Sequence, residues 1–126
     1  MKRILLAIAL VPLPRLALAD CTHAKNDFDD VYCLAKTYIN ADGDLNDAYK
    51  ALAAKLNDDQ KKALKSGQLG WIKRRNESCG QAETDGYYVD LDCAVNTTRK
   101  RIDFLTDRRS ECESGACDDK RLGDIE

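Results

Sequence analysis

Cysteine is the residue type with the widest chemistry in this chain, and it stands at six positions: Cys21, Cys33, Cys79, Cys93, Cys112 and Cys117. Thiols in such number hold metal, shuttle electrons or pair as disulfides, and spacing helps to separate these uses. Zinc and redox sites favour close Cys-x-x-Cys pairs, joined by a second pair or by histidines. No Cys-x-x-Cys occurs, and His23 is the only histidine. No metal and no cofactor is therefore expected. His23 also lacks the nucleophile and orienting carboxylate that a catalytic base works with, and is expected to be solvated. The run Asp42-Gly43-Asp44-Leu45-Asn46-Asp47 superficially resembles a calcium loop. Such a loop needs Gly at its sixth position and Glu at its twelfth. Asp47 and Ala53 stand there, so helix capping is the better account. Asn76-Glu77-Ser78 and Asn96-Thr97-Thr98 fit the glycosylation triplet, but both fall in expected helices. The 22 acidic residues offer many carboxylate pairs. A glycosidase, however, needs two of them across a sugar-sized cleft, for which a short helical chain has little room. No enzyme activity and no catalytic residue is expected.

The first nineteen residues decide what the cysteines are for. Lys2 and Arg3 open the chain, and Ile4 to Leu13 form an apolar run interrupted only by Pro12. Ala17-Leu18-Ala19 places small residues at the −3 and −1 positions of a cleavage site. This is the layout of a secretory signal peptide, and the run is shorter than the roughly 20 residues that span a bilayer. Asp20 precedes Cys21 where lipid attachment wants a small residue, so a soluble product is expected, periplasmic or secreted and not membrane-inserted. In an exported small domain an even cysteine count reads as disulfides. Six cysteines allow many connectivities. The expected one joins neighbours: Cys21–Cys33, Cys79–Cys93 and Cys112–Cys117.

The elements that must position these staples follow a helical rhythm. Ala24, Phe28, Val31, Ala35 and Tyr38 are spaced by threes and fours and so share a helix face. Asn40 to Asp44 reads as a turn, with Asp42 or Asp44 capping a helix whose apolar stripe is Leu45, Ala48, Tyr49, Leu52 and Leu56. Asn57 with Gln60 three positions on marks another helix start. Leu64, Gln68, Trp71, Ile72 and Arg75 line one side of the helix that follows. Gly67 and Gly70 weaken it by about 1 kcal/mol each relative to Ala and leave room for a close helix contact. Gly80 to Asp92 reads as a loop with a short extended stretch. Asp90 or Asp92 caps a last helix that buries Leu91, Ala94, Val95, Thr98, Ile102 and Leu105. From about residue 110 a polar tail is expected, with a small cysteine loop and a frayed end over 118–126. The fold class is all-α, a short bundle of three to four helices stapled by disulfides, with a domain over 20–109.

Trp71, Arg75 and Cys79 are spaced i, i+4, i+8 and stack on one face. Cys93, Thr98, Arg101 and Leu105 of the last helix can face them, with Arg75 and Arg101 laying aliphatic stems along the seam. An anion-binding role for these arginines is the competing reading. The order of these residues resembles the LprI-type lysozyme inhibitor domain family of exported bacterial proteins. The resemblance is carried by Cys21 and Cys33, then Asp42, Leu45, Asn46 and Tyr49, then Leu64, Gln68, Trp71, Ile72, Arg75 and Cys79. Cys93, Arg101 and Leu105 complete it. It implies a helical, extracytoplasmic, non-enzymatic protein, and it supports pairing the first two cysteines and the next two. The Cys112–Cys117 tail lies outside the shared pattern. The lipid-attachment context is missing, which favours a free periplasmic mode of action over an anchored one.

Residues 20–126 carry 17 basic and 22 acidic side chains, a balance of −5. A net-acidic body with no basic block is a poor match for nucleic acid. It suits a basic partner, and animal lysozymes are basic. The resemblance implies binding and occlusion of a lysozyme or another peptidoglycan hydrolase. The expected partner-binding loop lies between Cys79 and Cys93, where Glu83, Asp85, Asp90 and Asp92 surround Tyr87 and Tyr88. Tyrosine is a good interface anchor. The same tyrosines would otherwise cover the end of the bundle. The alternative function is a non-enzymatic envelope interaction or structural module, including immunity-type binding of a wall-degrading toxin.

Overall fold

The computed structural model describes residues 21–126; the segment 1–19, expected as a signal peptide, lies outside the described residues. Three helices and one hairpin follow in the order α1 (Asp27–Ala53), α2 (Asp58–Cys79), β1 (Gly80–Glu83), β2 (Gly86–Val89) and α3 (Leu91–Glu113). The all-α expectation holds, with a two-stranded antiparallel sheet as a minor addition. All three neighbouring cysteine pairs are bonded: Cys21–Cys33, Cys79–Cys93 and Cys112–Cys117.

The start of each helix is written in its capping residue. The Asn26 side chain accepts from the Asp29 amide at 3.0 Å. Asn57 and Gln60 form a reciprocal capping box, both bonds at 3.0 Å. Asp90 accepts from the Cys93 amide at 2.8 Å.

The turn expected at Asn40 to Asp44 does not form; α1 runs through it for 27 residues. The reason is an apolar line that crosses the Asp-Gly-Asp run unbroken. Ala41, Leu45 and Leu52 are buried, and Tyr38 and Ala48 keep the same three-four spacing. Packing against α3 thus overrides the local turn preference. Asn46 bonds back to the Asp42 carbonyl at 2.9 Å instead of breaking the helix. A Cβ added at Gly43 would meet nothing within 4 Å. Gly43→Ala should therefore raise stability by about 0.5–1 kcal/mol, read as a higher urea midpoint. A lower midpoint would contradict a continuous helix.

The first apolar face is also displaced. Phe28 is 80% exposed and Val31 59%, because α1 turns its Leu34–Tyr38–Ala41–Leu45 side to the body. At 3.6 residues per turn that side lies about a quarter turn away from Phe28 and Val31.

Leu45, Leu52 and Leu56 from α1 and its exit loop meet Leu64 and Trp71 of α2 and Leu105 of α3. Each fully buried leucine contributes about 1.5–3 kcal/mol. Helix α3 packs on both other helices and extends to Glu113, beyond the point where a polar tail was expected to begin.

The last core member is Leu122, fully buried in the segment expected to fray. That segment folds back along α2. A Cβ at Gly67 would stand 2.8 Å from the Gly123 backbone, so the close approach that Gly67 permits is to the tail and not to another helix. Gln60 donates to Asp119 at 2.6 Å, and Arg101 to the Asp124 carbonyl at 2.7 Å. No described helix is long and apolar enough to cross a membrane.

Candidate partner-binding site

The hairpin begins where α2 ends and leads straight into α3. Cys79 is the last residue of α2 and Cys93 lies in the first turn of α3, so their disulfide ties the two ends of the excursion together. The Asp90 amide adds a bond to the Cys79 carbonyl at 2.8 Å. Between them Gly80 pairs with Val89, Gln81 with Tyr88, Ala82 with Tyr87 and Glu83 with Gly86. Strand residues alternate faces. Ala82, Tyr87 and Val89 therefore form an apolar face, and Gln81, Glu83 and Tyr88 a polar one.

Both tyrosines are more than half exposed, and each is nevertheless held. The Tyr87 hydroxyl donates to the Asn76 carbonyl at 3.0 Å, and that of Tyr88 to Asp85 at 2.9 Å. A Cβ at Gly80 would lie 1.9 Å from the Tyr87 hydroxyl oxygen, so Gly80 gives the ring its path across the hairpin base. Glu83, Asp85, Asp90 and Asp92 are all exposed. Asp90 also caps α3, and Asp92 lies in that helix's first turn.

Behind the apolar face opens a cleft of about 450 Å³, lined by Tyr38 of α1, Arg75 and Asn76 of α2, and Tyr87 and Val89. Tyr38, set by its spacing on the first apolar face, is part of this wall. Arg75 is enclosed on three sides. Its guanidinium carbon lies 5.0 Å from the Trp71 ring centroid and 5.5 Å from that of Tyr38. Asp42 is 3.6 Å away. The cation is stacked and offset within the fold.

Arg101 is buried more deeply still. Its Nε donates to Gln68 at 3.0 Å, and Phe104 and Trp71 flank it at 4.4 and 5.8 Å. Burial pushes its guanidinium down to about 10, against the attraction of Asp124. Enclosed on these sides, it presents no open face to an anionic ligand, and the stem-packing reading fits it better.

The residues carrying the sequence resemblance separate into two groups. Leu45, Trp71, Arg101 and Leu105 are buried. Asp42, Asn46, Tyr49, Gln68 and Arg75 line a groove of about 300 Å³ between α1 and α2, with Leu45 at its floor. Sequence reasoning read Asp42 as a turn or cap residue, set Tyr49, Gln68 and Arg75 on apolar helix sides, and missed that these residues and Asn46 face a surface depression. Leu69, a leucine that falls off that apolar side of α2 by its spacing, is the signal that was available, and it stands exposed in the groove wall. No group of histidine, cysteine or acidic side chains among the described residues is arranged to hold a metal ion.

Residues 19–105 match the family model described as lysozyme inhibitor LprI. No curated protein and no solved structure matches the chain. The matched span takes in the first two disulfides, the whole hairpin and most of each helix, and on that match the chain belongs to the LprI lysozyme inhibitor family.

Proposed function

We propose that this protein acts outside the cytoplasm by binding a lysozyme-type peptidoglycan hydrolase and blocking its substrate cleft with the hairpin Gly80–Val89. The family is one of inhibitors, not enzymes, and three disulfides suit an oxidising compartment. The observation that carries the reading is the hairpin itself: a disulfide-closed projection whose two tyrosines are exposed yet already hydrogen-bonded in place. A projection ordered beforehand loses little freedom on docking.

The division of labour follows from charge. A glycosidase cleft holds two carboxylates, and an acidic side chain driven onto them would be repelled. The tyrosine rings carry no charge and suit that floor as exposed anchors, while their hydroxyl hydrogens stay committed to Asn76 and Asp85. Glu83 and Asp85 suit the basic rim of such an enzyme, where they raise the encounter rate through long-range attraction.

Loss of turbidity in a suspension of bacterial walls tests the reading. The oxidised protein should slow a basic animal lysozyme at near-stoichiometric amounts, and less well at high salt. Tyr87→Ala with Tyr88→Ala should weaken inhibition by about 10- to 100-fold with the circular dichroism and thermal midpoint unchanged. Undiminished lysis by lysozymes of several classes would sink the proposal.

A further inference from the structure

We infer that the first turns of α1 form a second jaw beside the hairpin, so that a basic protein partner is gripped by both; the inference rests on the function proposed above and extends its binding surface. The direction of α1 places the two side by side. Tyr38 and Asp42 meet Arg75, while Leu45 and Tyr49 line the groove with Gln68 and Lys65. Numbers rise along α1 as they fall along α2, so the helices are antiparallel, and the start of α1 lies at the hairpin end. From Tyr38 back to Asp27 the helix rises about 16 Å at 1.5 Å per residue. Four-residue strands reach about 13 Å. The two projections are of comparable length, and the cleft lined by Tyr38, Tyr87 and Val89 lies between their bases.

The jaw presents a bare apolar stripe. Phe28, Val31, Tyr32 and Ile39 fall on one side of α1 by their spacing, and all four are exposed. Single exposed hydrophobics are ordinary, but a contiguous stripe of large ones marks an interaction surface. Cys33, bonded to Cys21, pins the preceding segment to this stretch of helix.

Charge selects the occupant. Asp27 and Asp29 lie to either side of the stripe, with Asp30 in the same turns but farther round the helix, and Glu83 and Asp85 stand on the hairpin. None of these five forms an ion pair with a cation among the described residues, whereas acids along the rest of the bundle do so repeatedly, as in Lys55–Glu113, Lys62–Asp59 and Arg121–Glu111. The hairpin end therefore carries an excess of acid around apolar side chains: Lys25 and Lys36 partly offset the α1 acids, while the hairpin has Glu83, Asp85 and Asp90 and no cation of its own. A second copy meeting this end with the same end would set acid against acid, and an anionic membrane or a nucleic acid would be repelled as well. A basic protein surface with apolar rim residues satisfies both features.

The test measures dissociation constants with a basic animal lysozyme for three proteins: the unaltered chain, the hairpin variant Tyr87→Ala with Tyr88→Ala, and a stripe variant, Phe28→Ser with Val31→Ser. The exposed positions of the stripe make its folding safe, and an unchanged thermal midpoint checks it. A charge variant, Asp27→Asn with Asp29→Asn, whose two positions border the stripe, provides a second probe of the same surface, its folding checked by the same thermal midpoint. The stripe variant should bind about tenfold or more weakly, and the charge variant should associate more slowly with a shallower salt dependence. If both retain the affinity and rates of the unaltered chain while the hairpin variant loses them, the second jaw is overturned and the function proposed above stands. If the unaltered chain does not bind, that function fails and the jaw with it. If the stripe variant instead converts a dimer to a monomer in sedimentation and leaves lysozyme binding intact, the surface is a self-contact and the inference is overturned.

Discussion

Leu122→Ala should destabilise the protein by about 2–5 kcal/mol, the range for emptying a fully buried leucine site, although residue 122 lies four positions from the end of the chain and outside the span matched by the family. Leu122 has no exposed surface and closes a core made by Leu64, Trp71 and Leu105. The tail cannot simply collapse into the space, because Gly123 already rests against Gly67 with no room for a side chain between them. Ending the chain after Cys117 should do more damage. It removes Leu122 and also takes away the Asp124 carbonyl that receives Arg101 and the Asp119 carboxylate that receives Gln60. Urea unfolding followed by Trp71 fluorescence measures both. The truncated chain should show a broad, early transition. A Leu122→Ala midpoint indistinguishable from that of the unaltered protein would mean the tail is not part of the core. The family-matching span alone, on this argument, does not bury its own apolar surface.

The features that could be read from sequence are those set by near neighbours. Asn57 with Gln60 and Asp90 before α3 are local chemistry, and both caps form as read. The disulfides join cysteines close in the chain. The misreadings all concern which surface meets which. Asp42-Gly43-Asp44 has turn composition, but Ala41 and Leu45 are buried on either side of it and hold the helix straight. Phe28 and Val31 have core composition and stand in solvent, since spacing defines a face without saying what covers it. The polar run Asp118-Asp119-Lys120-Arg121 masks Leu122, the tail residue that completes the leucine core. The same limit applies to the site. Tyr87 and Tyr88 between acidic residues could be singled out by type alone. The neighbouring α1 stripe could not, because an apolar helix face reads identically whether it is packed or bare.

Arg101 separates a structural arginine from a binding one. Arg101→Ala should cost about 3–5 kcal/mol, and Arg101→Met about 1 kcal/mol or less. The stem and guanidinium plane fill the space between Trp71 and Phe104, so truncation to Ala leaves a cavity of the kind that large-to-small changes pay for. Methionine refills most of that volume and has no charge to desolvate. Its losses are the bonds to Gln68 and to the Asp124 carbonyl, both only partly buried and able to turn to water. Against them stands relief from burying a cation whose Nη2 has no hydrogen-bond partner. The pH dependence has a definite sign. Burial lowers the Arg101 pKa to about 10, so above that pH the folded state releases this proton before the unfolded chain does. Stability from this group then rises with pH. Below pH 10 both states hold the proton, the burial penalty is constant, and Arg101 adds no slope. The stability difference between Arg101→Met and the unaltered protein should accordingly be the same at pH 6 and pH 8. Equal destabilisation by Ala and Met would assign the contribution to the charged head and restore the anion-binding reading for this residue.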